Sequence, residues 1–440
     1  MSAKRVEEIF LHQRTHDRLG YRIHVAAAAL FLFLLPFPTS ISEFAVAPLL
    51  ITVLIRLPGI YKLIAPIGGF AVARLAVAWG AWVGLSWFWM IDAEGWKDEA
   101  SYLRWALLVP LLWPVLDRRQ LLLLALLAGC VFGNASQLAQ VIEGCIGADW
   151  LPWNRMPGRT SGWWDPVVGG SLLCAALGAH LGLALLARGR WRVVGASGAL
   201  LSAAAIIATG TRGAWIAAAI LIPAAMLVAI ARALPSRKFA GQLPLFVAAA
   251  ALLTISLWPV VAPVVRPRAK AGIDEVRAAI KSGDFTTDTG ARVQMWVLAG
   301  EAMKEHPARG VGAGSYRRWV QGYLRQSGVD AATRSVHAHA HGIVPHIGST
   351  LGAVGLLIMG AMCAWAMWST LSAPLGGDRT LPAQALGVDA ACGLALAGLL
   401  LAGLFDTVHV NSQTAAMLWA LVALCQTRRP AIAVLRGLGV

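Results

Sequence analysis

Val167–Ala187 reads VVGGSLLCAALGAHLGLALLA, 21 residues without one Lys, Arg, Asp or Glu, and RGRWR follows at 188–192. As an α-helix this stretch is about 32 Å long, which matches the hydrocarbon core of a bilayer. Its apolar residues cover every side, so no face of it suits water. The rest of the chain repeats the pattern. Of 440 residues 58% are apolar and only 13% charged, with a mean hydropathy of +0.65. So few charges cannot cover a soluble surface of this size, which excludes ordinary globular domains. The expected fold class is an all-α polytopic membrane protein.

Working outward from 167–187, twelve spans are expected, near 23–38, 42–56, 67–90, 99–116, 119–141, 167–187, 191–209, 213–233, 243–265, 343–372, 382–404 and 413–427. No small-residue cleavage site follows the first apolar stretch, so it is expected to remain as a helix. The resulting division is 1–265 with spans one to nine, 266–342 as a long loop domain rich in helix, and 343–440 with the last three spans and a tail.

The net charge is +15, from 37 Lys and Arg against 22 Asp and Glu. In a soluble chain that excess points to nucleic acid; among membrane spans it first reports orientation. Alternate junctions are basic: Arg56 and Lys62; Arg118 and Arg119; Arg188, Arg190 and Arg192; Arg232, Arg237 and Lys238; Arg379; and Arg428, Arg429 and Arg436 in the tail. The opposite junctions are poor in cations, as at Asp92, Glu94, Asp98 and Glu99. Both termini are therefore expected in the cytoplasm. Two outer loops break this rule. Residues 142–166 carry Arg155 and Arg159 among four tryptophans, and 266–342 holds twelve Lys and Arg against seven Asp and Glu.

The long loop supplies the first candidates for chemistry. From Gly290 the sequence ARVQMWVLAGEAMKEHP sets Val293, Trp296, Val297 and Gly300 along one helical face and stops before Pro307. The glycine-dense RGVGAGSY follows, read as a helix stop and tight turn, with a phosphate cradle as the alternative. Then HAHAHGIVPH places His337, His339, His341 and His346 within ten residues. Imidazole titrates near neutrality and can take a proton from a sugar hydroxyl. Neutral imidazoles also bind zinc or copper, but no acidic or cysteine partner lies nearby in sequence, so no metal site is expected.

The outer arginines complement these bases. Arg212 stands in TGTRGAW at the start of a span, Arg159 in GRTSGWWDP, Arg292 at the head of the loop helix, and Arg266 and Arg268 where the chain leaves the ninth span. Guanidinium groups pair with phosphate through two parallel hydrogen bonds and stay charged. Together they would bind a diphosphate and stabilise it as a leaving group. Asp406 and His409 follow the eleventh span and would line the same outer cavity. Arg74, Arg104 and His180 are further ionisable residues within spans.

These motifs resemble those of the bacterial O-antigen ligases, within the wider superfamily of O-antigen ligases and polymerases. Arg212 in TGTRGAW resembles the family's Arg-Gly-Ala-Trp segment. TGARVQMWVLAGEAMKEHPARGVGAG, which contains Arg292, resembles its Arg-x-x-x-Trp, His-Pro and Gly-x-Gly run. The histidine segment before Gly352-Ala-Val-Gly355 resembles its His-x-His-Asn and Gly-x-x-Gly signature, with Gly342 where Asn is usual. The resemblance implies a periplasmic glycosyl transfer at the inner membrane, from undecaprenyl diphosphate to lipid A–core oligosaccharide. It implies an inverting single displacement without metal, nucleotide or other cofactor. His339 or His341, with His337 in reserve, would be the general base. Arg212, Arg292, Arg159 and Arg266 would hold the diphosphate. The partners implied are the lipid-linked donor, the acceptor and membrane lipids, with no nucleic acid. An O-antigen polymerase or O-linked oligosaccharyltransferase shares the donor chemistry and differs in acceptor; a transporter of an anionic lipid is a more distant alternative.

Overall fold

A computed structural model describes residues 3–64, 70–153, 159–233, 243–328, 336–375 and 382–426. The tail at 427–440 and the junction residues Arg237, Lys238 and Arg379 lie outside the described residues. Among those described, the chain is helical without a β-strand. In order the helices are α1 (Ala3–His16), α2 (Arg18–Leu34), α3 (Thr39–Ile64), α4 (Ala71–Leu85), α5 (Ala93–Ser101), α6 (Leu108–Leu112), α7 (Arg119–Ile146) and α8 (Pro166–Leu186). The chain continues through α9 (Arg190–Ala208), α10 (Arg212–Ala233), α11 (Leu243–Ser282), α12 (Asp288–Glu305), α13 (Tyr316–Gln326), α14 (Ile343–Leu375), α15 (Ala383–Gly403) and α16 (Ser412–Leu424).

Among the described residues eight helical stretches are long and apolar enough to cross a membrane: Thr39–Ile60, Ala71–Phe88, Ala93–Ile146, Pro166–Leu186, Arg190–Ala208, Arg212–Arg232, Ile343–Leu375 and Ala383–Gly403. The sequence-based spans 99–116 and 119–141 share one of these, because short 3-10 turns carry the chain from α5 to α7 without an intervening loop. The expected first and last spans correspond to α2 and α16, which have 17 and 13 residues, the first at the lower limit for a crossing helix and the second below it. The expected boundary at 265/266 falls inside α11, a helix of 40 residues. Beyond Arg266 its sequence is rich in Ala, Arg, Lys and Glu, all good helix formers. Pro259, Pro263 and Pro267 are spaced by four, so their missing hydrogen bonds fall on one side and the helix carries on.

The uncharged stretch 167–187 forms the centre of the bundle. In its most apolar window 83% of α8 is buried, and 78% of α15, against 28% for α4. Lipid cannot drive two such helices together by the hydrophobic effect, so close backbone approach does it. A Cβ at Gly178 would stand 2.0 Å from the Leu394 carbonyl oxygen, and one at Gly398 2.2 Å from that of Cys174. On the other side of α8, His180 hydrogen-bonds Ser202 Oγ of α9 at 3.1 Å, so this intramembrane histidine joins two helices. Arg74 is exposed, and Arg104 pairs with Glu43 at 2.7 Å.

One buried charge pair went unread in the sequence. Arg119, counted above as a junction cation, is 6% exposed and forms an ion pair with Asp389 of α15, itself 2% exposed. Removing one partner strands a charge in apolar surroundings, whereas replacing both with apolar residues does not. Asp389→Ala is therefore expected to cost about 3–5 kcal/mol, and Arg119→Met with Asp389→Leu to recover most of it. Thermal unfolding in detergent micelles measures this; identical melting temperatures for the wild type and Asp389→Ala would deny the pair any role.

Candidate functional site

At one end of the bundle, the 86–104, 159–165 and 404–411 segments meet residues 266–328 and 336–346. The frame there is set by a break in α14. Gly352 has φ 67° and ψ −167°, so the helix stops and restarts. Its orphaned carbonyls are met from outside: Val311 N donates to Ser349 O at 2.9 Å, Gly312 N to Thr350 O at 2.8 Å and Trp82 Nε1 to Leu351 O at 2.9 Å. In return Ala353 N donates to Pro307 O at 2.9 Å and Val354 N to Ala308 O at 3.2 Å. Only glycine fits at the crossing, because a Cβ on Gly352 would lie 2.3 Å from Ala308 O and the residue has a left-handed φ. Ala313 N donates to Ser86 Oγ at 3.2 Å and Gly314 N to Glu99 Oε2 at 2.6 Å. These N–H groups are thus engaged inside the protein, and the phosphate-cradle reading of RGVGAG does not hold.

A row of polar residues on the buried face of α7 positions the second loop. Gln137 Nε2 donates to Thr160 O at 2.7 Å, Gln140 Oε1 accepts from Ser161 N and Gly162 N, and Glu143 Oε1 accepts from Trp150 N and Leu151 N. This arrangement delivers Arg159, whose Nε donates to Thr209 O at 3.0 Å and whose Nη2 donates to Thr211 Oγ1 at 2.9 Å. Both Arg159 and Arg268 crowd the turn at Gly210, where an added Cβ would stand 2.7 Å from Arg268 Nη1 and 3.0 Å from Arg159 Cγ. Burial lowers the pKa of Arg159, and the Arg268 charge lowers it further. Arg266 instead is exposed and stacks over the Trp258 ring at 5.4 Å. Of the two neighbouring arginines, then, Arg268 reaches this turn.

Arg212 is bound internally. Its two Nη atoms make a fork to Glu275 of α11 at 2.8 and 3.0 Å, and Nη1 also donates to Thr289 Oγ1. Those hydrogen bonds from Arg212 hold Glu275 down to about 2. Arg292 differs: among the described residues no hydrogen bond or ion pair engages its guanidinium. It lines a narrow cleft with Thr211, Ser171, Phe405 and Asp406. Burial pushes Asp406 up to about 6, against the pull of the Thr407 N–H and of Arg292.

Arg292 lies on α12, which Thr287 caps by accepting from Gly290 N at 3.0 Å. The buried face of α12 is Ala291, Gln294, Met295, Leu298, Ala299 and Ala302. Val293, Trp296, Val297 and Gly300, the face expected from the sequence, are the less buried side, and Val297 is 55% exposed. Both sets follow helical spacing, and the longer stripe through Ala291, Met295, Leu298 and Ala302 is the one that packs inward. Trp296 on the open side donates from Nε1 to His341 O at 3.1 Å, tying the helix to the histidine loop.

That loop separates its four histidines. His337 is exposed, with its ring 5.4 Å from that of His341. His341 has φ 45°, a conformation seen at no other non-glycine among the described residues. Burial lowers its pKa to about 4, helped by the Arg292 charge. His339 is likewise lowered to about 4 by burial, with His346 adding to it. Neither His339 Nδ1 nor His341 Nδ1 has a partner within the described protein. His346 is fully buried, and its Nε2 lies 3.3 Å from Glu99 Oε2. The acidic neighbour that is missing from the sequence around the histidines is therefore supplied in space. His409 completes the group, with its ring 5.4 Å from that of His346.

Glu99, His346 and His409 each offer a ligand atom within 4.8 Å of the others, the arrangement among the described residues that comes nearest a metal site. Both His346 nitrogens are already engaged, Nε2 by Glu99 and Nδ1 by Ala340 N. Sequence reasoning missed Glu275 and Glu99 as partners, since neither lies near its arginine or histidine along the chain.

No curated protein matches the chain. Residues 197–360 match the family model of the O-antigen ligases. That segment, which contains every arginine and histidine of the candidate site except Arg159 and His409, is similar to the O-antigen ligase family, as the sequence motifs led one to expect.

Proposed function

We propose that this protein is an O-antigen ligase, acting at the periplasmic face of the bacterial inner membrane. It would move a polysaccharide from undecaprenyl diphosphate to the lipid A–core oligosaccharide. The observation that carries this reading is the unengaged guanidinium of Arg292, which lines a cleft with Asp406 and bears electrostatically on His341. A cation without an internal partner, beside an imidazole kept neutral, suits an anionic leaving group next to a proton acceptor.

In this mechanism the base imidazole takes the acceptor hydroxyl's proton as the oxygen bonds to the donor's anomeric carbon. The bond from that carbon to the diphosphate breaks, and undecaprenyl diphosphate leaves with the electron pair. One displacement inverts the anomeric centre, and the donor's own phosphoester supplies the driving force. His341 is the preferred base, because it is the histidine coupled to Arg292; His339 is the alternative, and the exposed His337 the reserve. Arg292 and Arg159 with its neighbour Arg268 would receive the diphosphate, and Arg212 would join by exchanging Glu275 for a phosphate. Arg266, stacked on Trp258, would meet lipid headgroups or the donor on its way in. No step requires a metal or nucleotide.

The deciding experiment is reconstitution of the purified protein with lipid-linked glycan and lipid A–core, without nucleotide and with EDTA present. Capped lipopolysaccharide is expected. Elongated lipid-linked glycan alone would make it a polymerase, and no covalent product at all would remove the enzyme reading.

His341→Ala is expected to lower turnover by at least about 100-fold, the usual worth of a positioned base. Arg292→Lys should also lose most turnover, because an ammonium lacks the planar fork. Both are read as initial rates at equal membrane content; a His341→Ala variant at wild-type rate, with His339→Ala inactive, would move the base to His339.

The pH profile offers an independent check. Burial favours the neutral imidazole, so the base stays available until pH falls through its lowered pKa. The acidic limb of kcat/KM, which reports the free enzyme, is expected to have its midpoint near 4 and not at the ordinary 6.5. A second limb near 6 that vanishes in Asp406→Asn belongs to Asp406. A single midpoint at or above 6.5 would contradict a buried base.

A further inference from the structure

We infer that Glu99 and His346 form a positioning pair that holds the 337–341 segment in place, with His346 acting as a fixed hydrogen-bonding bracket and not as the base. The inference rests on the function proposed above and assigns a role to the histidine that the reaction leaves over. The two residues are 247 positions apart in sequence, one on α5 and one in the first turn of α14. Both are buried, His346 completely and Glu99 at 7% exposure.

The hydrogen-bond pattern fixes the tautomer. Glu99 is also bound by Gly314 N at 2.6 Å, through the same Oε2 that faces His346 Nε2 at 3.3 Å. A carboxylate only accepts, so His346 Nε2 carries the hydrogen and Nδ1 presents its lone pair. That lone pair faces the Ala340 N–H at 3.4 Å. Ala340 lies between His339 and His341, the two candidate bases, and is itself fully buried. The His339 ring packs edge-on against His346 with centroids 5.2 Å apart. His346 therefore touches the segment twice, once through the backbone of Ala340 and once through the ring of His339.

The segment has reason to need such a bracket. His341 sits at φ 45°, which a β-carbon disfavours, so its backbone holds only where neighbours over-determine it. Trp296 Nε1 on the His341 carbonyl is one restraint, and His346 on the Ala340 N–H is the second. Glu99 links both to the Gly310–Gly314 loop, so the break in α14 and the histidine segment share one anchor.

The pair can be dissected by side chains that mimic one ring nitrogen at a time. His346→Asn keeps an acceptor near the Nδ1 position, whereas His346→Gln keeps a donor near Nε2. Glu99→Gln presents an amide that can donate to Nε2 and turn the imidazole to its other tautomer, facing N–H against N–H at Ala340. Hydrogen exchange at Ala340 in the purified full-length protein is expected to quicken at least tenfold in Glu99→Gln and His346→Gln, and little in His346→Asn. Because that reading needs no substrate, it stands or falls separately from the ligase reading, which fails if the wild type makes no capped product. In the reconstituted reaction Glu99→Gln and His346→Gln should lower kcat about 10- to 100-fold, the effect of partners that orient a histidine, with donor KM changed less than about threefold. His346→Asn should stay within about tenfold of the wild type. Unchanged exchange and unchanged kcat in Glu99→Gln and His346→Gln would overturn the proposal. So would one zinc per purified chain that His409→Ala abolishes, which would make the cluster a metal site.

Discussion

A helix that stops inside an apolar bundle leaves carbonyl and N–H groups that no water reaches, and each one left unmatched costs several kcal/mol. The break of α14 at Gly352 creates this debt at the end of the bundle where the candidate site lies. The chain answers it with another piece of backbone, 307–314, which donates to the carbonyls of Ser349 and Thr350 and accepts from Ala353 and Val354. Four backbone hydrogen bonds along two crossing segments leave no freedom of register. The glycines at 310 and 352 follow from this contact, because the two backbones approach more closely than any Cβ permits, while Gly312 is required by the close approach of Met90. The histidine segment, which ends eleven positions before the break, and α12, just before the loop, inherit their places from it.

Polar side chains on the membrane helices obey the same rule. Gln137, Gln140 and Glu143 recur on one face of α7 and each meets backbone groups of the 148–164 segment, so their burial is matched and Arg159 is carried to the Gly210 turn. At the opposite end of α7, Arg119 with Asp389 fixes that helix against α15. One helix thus holds the bundle at its start and the site at its finish. The geometry of the site is built from backbone and buried polar contacts, which are stiffer than exposed ion pairs and less sensitive to salt.

Much of this was readable in advance because membrane chains advertise their class. The uncharged run at 167–187 announced a buried span, and its lack of any polar face matches its place at the centre, against α15. The loop helix and its stop at His306 were legible from spacing and proline. What the sequence hid depends on distance along the chain. Which face of α12 packs inward is not legible, because two helical stripes of apolar residues compete there and only the fold shows that the Met295 and Leu298 stripe is buried. Helix α11 ran past the expected boundary because its charged second half is as helix-prone as its apolar first half. Glu99 and Glu275 gave no signal, since an acid at a span end or in a charged loop looks the same whether it meets water or an arginine. Gly352 was visible as a motif, but its meaning, a break repaired by a loop some forty residues earlier, requires the fold.

The electrostatics of the resting site carry the last step. Burial is the first cause of the lowered pKa of Arg159, and the Arg268 and Arg292 charges add to it. The charged form of Arg159 is therefore held at a cost that an arriving anion relieves, and by linkage the relief appears as binding energy. Arg212 is neutralised by Glu275, and among the described residues Asp406 is the carboxylate lining the Arg292 cleft. Under the proposed reaction a diphosphate, with its charge spread over several oxygens, would meet more than one guanidinium at once and compete with Glu275 for Arg212. Under the same reaction negative charge accumulates on the leaving group as the glycosidic bond breaks, so the clustered cations would favour the transition state.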